Sequence, residues 1–250
     1  MSDEVDVPES HPRYESLLTR HRIESGVDRG ITSRQGLIAQ GRGEAYDYLL
    51  GERTIDSADR AERAAAAHLL DADHAVVSVN GNAAALVPGE LVELSEATGA
   101  ALEVNLFNRT EERMDAIADY LREHGATAVK GLDADGRIPG LDHERAKVDA
   151  DGIGAADVVL VPLEDGDRAE ALGEMDKTEL VVDLNPLSRS AQVASVPIVD
   201  NIIRAIPTIT AHAHDLADDP ASRREAIEAF DADDALAAAE RAIRDGADAQ

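Results

Sequence analysis

The chain has 250 residues, 51 of them acidic and 24 basic, which gives a formal net charge of −27. No cysteine is present, which excludes disulfides, thiolate zinc sites and a cysteine nucleophile. No apolar run approaches the ~20 residues of a membrane span, and the excess of acid argues against a nucleic-acid partner. Because the first residues also lack a basic and apolar signal peptide, the sequence predicts a cytoplasmic protein without membrane contact.

The acidic residues are spread along the whole chain, and only three of the basic residues are lysines. Dispersed acid with few lysines is typical of a protein that works in concentrated salt, where self-repulsion is screened. This pattern predicts a halophilic source, and an ordinary acidic enzyme is the alternative.

Two helical patterns come first, at residues 12–29 and 35–50, and they meet near Gly30. We expect them to pack over the ligand-binding edge of a sheet or to form a subunit contact. Further helical patterns cover residues 57–70, 84–97 and 110–123. Pro88 and Gly89 interrupt the second, and Asn108 is the expected N-cap of the third.

Short apolar segments typical of buried strands alternate with these helices, at residues 75–79, 101–106, 158–161, 180–184 and 196–199. This alternation predicts an α/β fold with a parallel sheet and helices on both faces. We expect one domain over residues 1–250, with an N-terminal helical segment (1–55), a nucleotide-binding core (56–210) and an acidic tail (211–250) with helical patterns at 221–230 and 234–244.

The most informative stretch lies where the fourth apolar segment ends. There the sequence turns polar, with Asp183, Asn185, Ser188, Arg189 and Ser190. Ligands of open α/β sheets bind where strands end and loops begin. A carboxylate, an amide, hydroxyls and a guanidinium at such a place indicate a ligand with hydroxyls and anionic oxygens, such as a nucleotide.

Asn80, Gly81 and Asn82 follow a predicted strand and precede a helix. They are either an anion cradle at a helix start or an ordinary Asn-Gly turn that caps the helix. Gly41-Arg42-Gly43 is either a place of close backbone approach or a loop between shorter helices. The acids of residues 162–168 either hold magnesium or orient substrate groups, or they belong to a solvated loop.

Arginines stand out in so acidic a chain, because a polyanionic substrate needs a local positive pocket and guanidinium suits phosphate. The candidates near predicted loops or helix ends are Arg20, Arg42, Arg109, Arg189 and Arg204. The glycine fingerprint of NAD-binding proteins, the P-loop and the G-x-S-x-G elbow are absent. His212 and His214 are interpreted as surface residues.

Taken together, several peptides of this chain resemble one family, the archaeal 4-phosphopantoate–β-alanine ligases, also called phosphopantothenate synthetases. The resemblance covers roughly residues 8–208 and leaves out the tail. The peptides are HPRYES (11–16), GITS (30–33), GLIAQGRGEAYDYLLGE (36–52), VSVNGN (77–82), EVNLFNR (103–109), IPGL (138–141), VPLEDGDR (161–168) and residues 183–205. Gln40 and Tyr46 depart from the family pattern, which more often has histidine and phenylalanine there.

The resemblance implies a Rossmann-like fold, a homodimer and a step of coenzyme A biosynthesis. ATP, as co-substrate and with Mg²⁺ as the expected ion, would activate 4-phosphopantoate as an acyl-adenylate. β-Alanine would then displace AMP and give 4′-phosphopantothenate, with diphosphate released earlier. No enzyme nucleophile is needed, which agrees with the lack of cysteine and of a serine elbow.

By the same resemblance, one group of residues would line the ATP site: Arg20, Arg42, Asp183, Leu184, Asn185, Arg189, Ser190, Asn201 and Ile202. We expect 4-phosphopantoate near Asn80, Gly81, Asn82 and Arg109. The sequence assigns neither a catalytic residue nor a metal ligand.

Two other classes of function are compatible with a doubly wound sheet. One is an oxidoreductase that uses a nicotinamide nucleotide, against which the missing glycine fingerprint counts. The other is a non-catalytic nucleotide sensor, which would bind ATP without producing AMP.

Overall fold

A computed structural model describes residues 8, 10, 11, 13–163 and 166–246 of the chain. The described helices are α1 (Tyr14–Asp28), α2 (Arg34–Leu50), α3 (Asp56–Asp71), α4 (Gly81–Leu86), α5 (Pro88–Thr98), α6 (Glu111–Glu123), α7 (Gly166–Gly173), α8 (Arg189–Val193), α9 (Ile202–Leu216), α10 (Pro220–Glu228) and α11 (Ala232–Asp245). The described strands are β1 (Ala75–Val79), β2 (Ala101–Val104), β3 (Gly136–Arg137), β4 (Lys147–Val148), β5 (Val158–Pro162), β6 (Thr178–Val182) and β7 (Val196–Ile198).

Five of these strands form one parallel sheet in the order β2-β1-β5-β6-β7. All five correspond to apolar segments of the sequence, so the α/β fold with a parallel sheet is confirmed. The strands β3 and β4 form a separate antiparallel pair. Two-residue strands carry no periodicity, and the sequence therefore did not indicate them.

The two faces of the sheet are covered differently. One face packs into the main core with α3, α5 and α9, whose buried residues include Leu69, Leu94 and Ile206. The other face, with Val76 and Val159, is covered by α7 and by the segment that contains β3 and β4. Helices therefore lie on both faces, but the second face is covered partly by an irregular segment.

The predicted helices are confirmed with small shifts in their bounds. The interruption at Pro88 separates α4 from α5, and Gly30, with φ of +74°, joins α1 to α2. The predicted start of the first helix at residue 12 lies outside the described residues. The cap at Asn108 was wrong: the hydroxyl oxygen of Thr110 accepts the hydrogen bond from the Arg113 amide at 3.3 Å, because the helix begins only at Glu111.

The C-terminal part of the chain is tied to the core. Helix α9 runs across the expected boundary at 210/211 and buries Ile202, Ile206 and Ile209 against the sheet. Helix α11 buries Leu236 and Ala239 beside α2 and α8. None of the helices in the described ranges combines the length and the apolar character needed to span a bilayer.

Candidate functional site

A cleft lies above the carboxyl ends of β1, β2 and β5. In this strand order β1 and β5 are neighbours, but the chain goes on from β1 to β2 and from β5 to β6, in opposite directions along the sheet. Ligands of doubly wound folds bind at such a switch point. The cleft has a volume of about 260 Å³. Its walls come from the α1–α2 turn, the start of α2 and the segments that follow the three strands: Thr32, Ser33, Gln35, Gly36, Ala39, Arg42, Asn80, Gly81, Asn82, Leu106, Phe107, Asn108, Arg113, Arg145 and Leu163.

The turn after β1 shows the capping geometry. The side-chain oxygen of Asn80 accepts hydrogen bonds from the amides of Asn82 and Ala83, both at 3.0 Å. Its side-chain nitrogen donates to the Pro162 carbonyl at 2.7 Å and so links the ends of β1 and β5. These two amides of α4 are therefore already bonded within the chain, and an anion in the cleft must find other donors.

The N-terminal helices are fastened over the cleft by Asn82. Its side-chain oxygen accepts from the Thr32 hydroxyl, and its side-chain nitrogen donates to the Gly36 carbonyl at 3.0 Å. Close packing accompanies these bonds, because a Cβ on Gly81 would come within 2.5 Å of the Ile31 carbonyl oxygen. The N-terminal helices thus lie over the carboxyl ends of the strands, as one of the two expected placements requires.

The cleft is basic in a strongly acidic protein. Arg42, Arg113 and Arg145 line it, whereas none of its lining residues in the described ranges is an aspartate or a glutamate. The whole chain contains 51 acidic residues. Such a local excess of positive charge with low-dielectric walls attracts and holds an anion.

Arg109, which we expected beside the small acid, does not line this cleft. It donates to the carbonyls of Gly131 and Leu132, at 2.6 and 3.0 Å, and so fastens the loop after α6. Arg113, which the sequence analysis did not single out, lines the cleft instead. The two arginines are four residues apart in the sequence, but Arg109 lies before the start of α6 and Arg113 lies in its first turn, which only a structure shows.

The polar loop after β6 has an ordered internal network. The buried Asp183 carboxylate accepts from the Asn185 amide at 3.1 Å and from the Ser188 hydroxyl at 2.7 Å. Asn185 in turn accepts from the Leu187 amide, and Ser188 caps α8. Leu184 packs against the small cluster formed by α2, α8 and α11, and Ser190 is buried at the start of α8.

Two of the arginines expected at ATP form ion pairs with carboxylates. Arg20 is paired with Glu44, and this guanidinium lowers the pKa of the Glu44 carboxyl to about 2. Arg189 is paired with Asp167 and lies 3.6 Å from Glu170. ATP phosphates would have to displace Glu44 and Asp167 from these guanidiniums. For Arg189 the cost is only about 0–1 kcal/mol, because both members of its pair are exposed.

Asn201 and Ile202 lie next to a buried ionic network below α2. The Asn201 side-chain nitrogen donates to the Asp47 carboxylate at 3.0 Å. Arg204 donates to Asp47 and Asp200, both at 2.7 Å, and is almost completely buried. Burial alone would lower the Arg204 pKa, but the two carboxylates raise it. Arg204 is thus neutralised within the fold and does not belong to a positive pocket for substrate.

The expected site residues therefore form three groups along the sheet edge. Arg42, Asn80, Gly81 and Asn82 meet at the cleft, the residues 183–190 lie beyond it after β6, and Asn201 and Ile202 follow β7. Arg20 lies on α1 above them. The structure does not bring them into one pocket of the described chain.

The structure describes only part of residues 162–168, so the hypothesis that their acids hold magnesium stays a prediction. Glu164 and Asp165 lie outside the described residues, and Asp167 is paired with Arg189. Among the residues the structure describes, no three histidine, aspartate or glutamate side chains are grouped to hold a metal ion.

The fold and the cleft define a class: a doubly wound α/β protein with an arginine-lined crevice at its switch point. A family model described as phosphopantothenate/pantothenate synthetase matches residues 57–246, and the chain belongs to this family. The match includes the tail to residue 246, so the expectation that the tail lies outside the family resemblance was wrong.

Curated relatives agree with the family model. The chain is 58% identical over 215 residues to a protein of Thermococcus kodakarensis named 4-phosphopantoate–beta-alanine ligase, which covers 86% of this chain and 82% of that protein. It is 54% identical over 212 residues to a Methanosarcina mazei protein of the same name, and the match covers 85% of this chain and 83% of that protein.

Proposed function

We propose that this chain joins 4-phosphopantoate to β-alanine at the expense of ATP, releasing AMP and diphosphate. The observation that carries the proposal is the identity of 58% over 86% of the chain with a ligase named for those two substrates. The basic cleft supports it, since one substrate is a phosphorylated acid. The product, 4′-phosphopantothenate, assigns the chain to coenzyme A biosynthesis.

The chemistry needs positioning and charge neutralisation rather than a covalent enzyme nucleophile. A carboxylate oxygen of 4-phosphopantoate attacks the α-phosphorus of ATP, the bond to the β-phosphate breaks, and diphosphate leaves. The amine of β-alanine then attacks the carbonyl carbon of the mixed anhydride. The acyl carbon–oxygen bond breaks, AMP departs with that oxygen, and the amine loses its proton.

Two neighbouring regions fit the two reactants. ATP would lie along the loop after β6, with Asp183 and Asn185 near ribose or base and with Arg20, Arg42 and Arg189 near phosphates. Asn201 and Ile202 complete this set. The small acid would occupy the cleft over β1 and β5, beside Asn80, Gly81 and Asn82. Mg²⁺ would be held mainly by ATP phosphates, as is usual for this ion.

The chain is also proposed to act as a homodimer. Apolar side chains of α2 are unusually exposed: Ile38 is 78% exposed, and Leu37, Tyr48 and Leu49 share its outer surface. We expect Ile38→Glu to convert a species of twice 26.5 kDa into a monomer in sedimentation. Val193→Glu, at an exposed position on α8, is the control and leaves the mass unchanged.

A cytoplasmic, salt-rich environment is part of the proposal. The net charge of −27 makes the folded state self-repelling in dilute buffer, and at 1 M salt the Debye length falls to about 3 Å. Activity and thermal stability should therefore rise together as potassium chloride is raised from 0.1 to 2 M.

The deciding experiment measures nucleotide products in high-salt buffer with magnesium, with the two organic substrates added singly and together. The ligase forms AMP in proportion to 4′-phosphopantothenate, and only when both are present. ADP in place of AMP would replace the adenylate by an acyl phosphate. ATP binding without turnover in folded protein would favour the sensor, and binding of a nicotinamide nucleotide would favour the oxidoreductase.

A further inference from the structure

The guanidinium of Arg113 is held in the cleft without a counter-charge. It donates to the carbonyls of Asn108 at 2.7 Å and Ile31 at 3.3 Å. Its Nε atom is buried without a hydrogen-bond partner among the described residues, and no described carboxylate contributes to its pKa. Burial lowers the Arg113 pKa from its ordinary value, but a guanidinium remains charged at neutral pH.

A buried donor without a partner is costly, and such a group in a native protein has a reason. The carbonyls hold the guanidinium in place but leave its charge uncompensated. Its Nη2 atom lies so near the β1 turn that a Cβ on Gly81 would be 3.1 Å from it. Arg113 therefore presents a fixed, unneutralised cation at the floor of the cleft.

The strand order indicates which end of the small acid lies there. Arg113 follows β2, at the edge of the sheet, whereas five of the nine expected ATP residues follow β6. Strands lie about 4.8 Å apart, so the ends of β1 and β6 are about 10 Å apart. A small acid in the cleft must point its reacting carboxylate toward β6, which leaves its phosphate on the side of Arg113.

We propose that Arg113 binds the phosphate of the phosphorylated acid, in the place expected for Arg109. This inference rests on the proposed function, because it specifies where that reaction's acid substrate is held. Arg113 is a binding residue, and the carboxylate chemistry takes place at the other end of the substrate.

Arg109 is a matched control for the test. Like Arg113, it donates to two backbone carbonyls and has one buried nitrogen without a partner, but it does not line the cleft. We expect Arg113→Ala to raise the KM for 4-phosphopantoate about 10- to 100-fold, because one or two charge-assisted hydrogen bonds to the phosphate are lost. The KM for ATP should change by less than about threefold, and Arg109→Ala should leave both values within about threefold.

Arg113→Lys covers the case in which the alanine variant does not fold. Lysine keeps the positive charge but lacks the paired N–H donors of the guanidinium. The KM for 4-phosphopantoate should therefore rise to a value between those of the wild type and of Arg113→Ala. An unchanged KM in a folded Arg113 variant, an equal effect of Arg109→Ala, or a rise confined to the KM for ATP would each overturn the inference.

A second measurement separates this inference from the proposed function. If the wild-type protein forms no AMP, the proposed function is wrong, and calorimetric titration with inorganic phosphate still tests Arg113. Binding by the wild type and by Arg109→Ala, but not by the Arg113 variants, would support the anion site. Equal binding by all of them, or by none, would contradict it.

Discussion

Arg113 in the cleft and Arg204 below α2 differ in what surrounds their charge. Arg204 is neutralised by the carboxylates of Asp47 and Asp200, and it joins α2 to the start of α9. Among the residues that the structure describes, the Arg113 guanidinium donates to carbonyl oxygens only. The difference teaches that an arginine buried between carboxylates serves the fold, whereas one that is unpaired in a cleft, or paired only at the surface, remains available to an anion.

The largest loss of stability is expected when the buried ionic network around Arg204 is disrupted. Arg204→Ala leaves two buried carboxylates uncompensated, so we expect a loss of about 3–5 kcal/mol in the free energy of unfolding. Urea unfolding in high-salt buffer measures it. Arg244→Ala removes an exposed pair with Glu240 and should cost less than about 0.5 kcal/mol. Similar losses in both variants would contradict the role given to the network.

The same region contains an acid that no partner neutralises. Glu62 is completely buried, neither of its carboxyl oxygens has a hydrogen-bond partner in the described chain, and burial raises its pKa to about 9. The nearby carboxylates of Asp200 and Asp59 raise this pKa further, and Arg204 opposes them. The folded chain thus retains this proton up to a higher pH than the unfolded chain.

Glu62 should therefore make stability pH-dependent. Its contribution is fully present below the unfolded pKa of 4.5 and is lost as the pH rises toward 9. Glu62→Gln should remove up to about 1.4 kcal/mol per pH unit from this slope. Unfolding curves at pH 6, 7 and 8 test it, and an unchanged slope in the variant would show that Glu62 is not the group responsible.

Arg189 is paired only at the surface, so its removal should affect the use of ATP much more than the stability of the fold. Arg189→Ala should reduce kcat/KM for ATP well over tenfold, since a phosphate contact is lost. Unfolding free energy should change by less than about 1 kcal/mol. Arg122→Ala, which breaks another exposed pair, should leave turnover unchanged. Normal turnover in the Arg189 variant would remove the phosphate role proposed for it.

The smallest expected effect concerns two glycines of the cleft region. A Cβ on Gly41 would meet nothing within 4 Å, so Gly41→Ala should stabilise α2 by about 0.5–1 kcal/mol. Gly81→Ala should instead destabilise by about 1–3 kcal/mol, because its Cβ would clash with the Ile31 carbonyl. Thermal unfolding of both variants decides whether the close approach lies at Gly81 or at Gly41.

Much of the fold followed from the sequence because each strand of the main sheet is a short apolar run between amphipathic helices. The second face was not predictable, since residues 131–157 contain two-residue strands and irregular turns. Helix α9 was not predicted as an element because Pro207 interrupts its pattern, although Ile202, Ile206 and Ile209 carry helical spacing.

The candidate site could be predicted only in part. Asn80, Gly81 and Asn82 were found because strand-to-helix turns have a sequence pattern, and the structure places them at the switch point. The directions of Arg109 and Arg113 were not predictable, since one lies in the loop before α6 and the other in its first turn, and tertiary contacts decide where each side chain lies. The pairing of Arg204 with Asp47 joins residues 157 positions apart, which no local pattern indicates.

The adenylate chemistry is the centre of the proposed function, and isotope transfer tests it directly. 4-Phosphopantoate labelled with ¹⁸O in its carboxylate would be turned over with ATP and β-alanine, and the nucleotide product analysed by mass spectrometry. Attack of the carboxylate on the α-phosphorus predicts one ¹⁸O atom in each AMP and none in diphosphate. Unlabelled AMP, or label in inorganic phosphate beside ADP, would contradict the account.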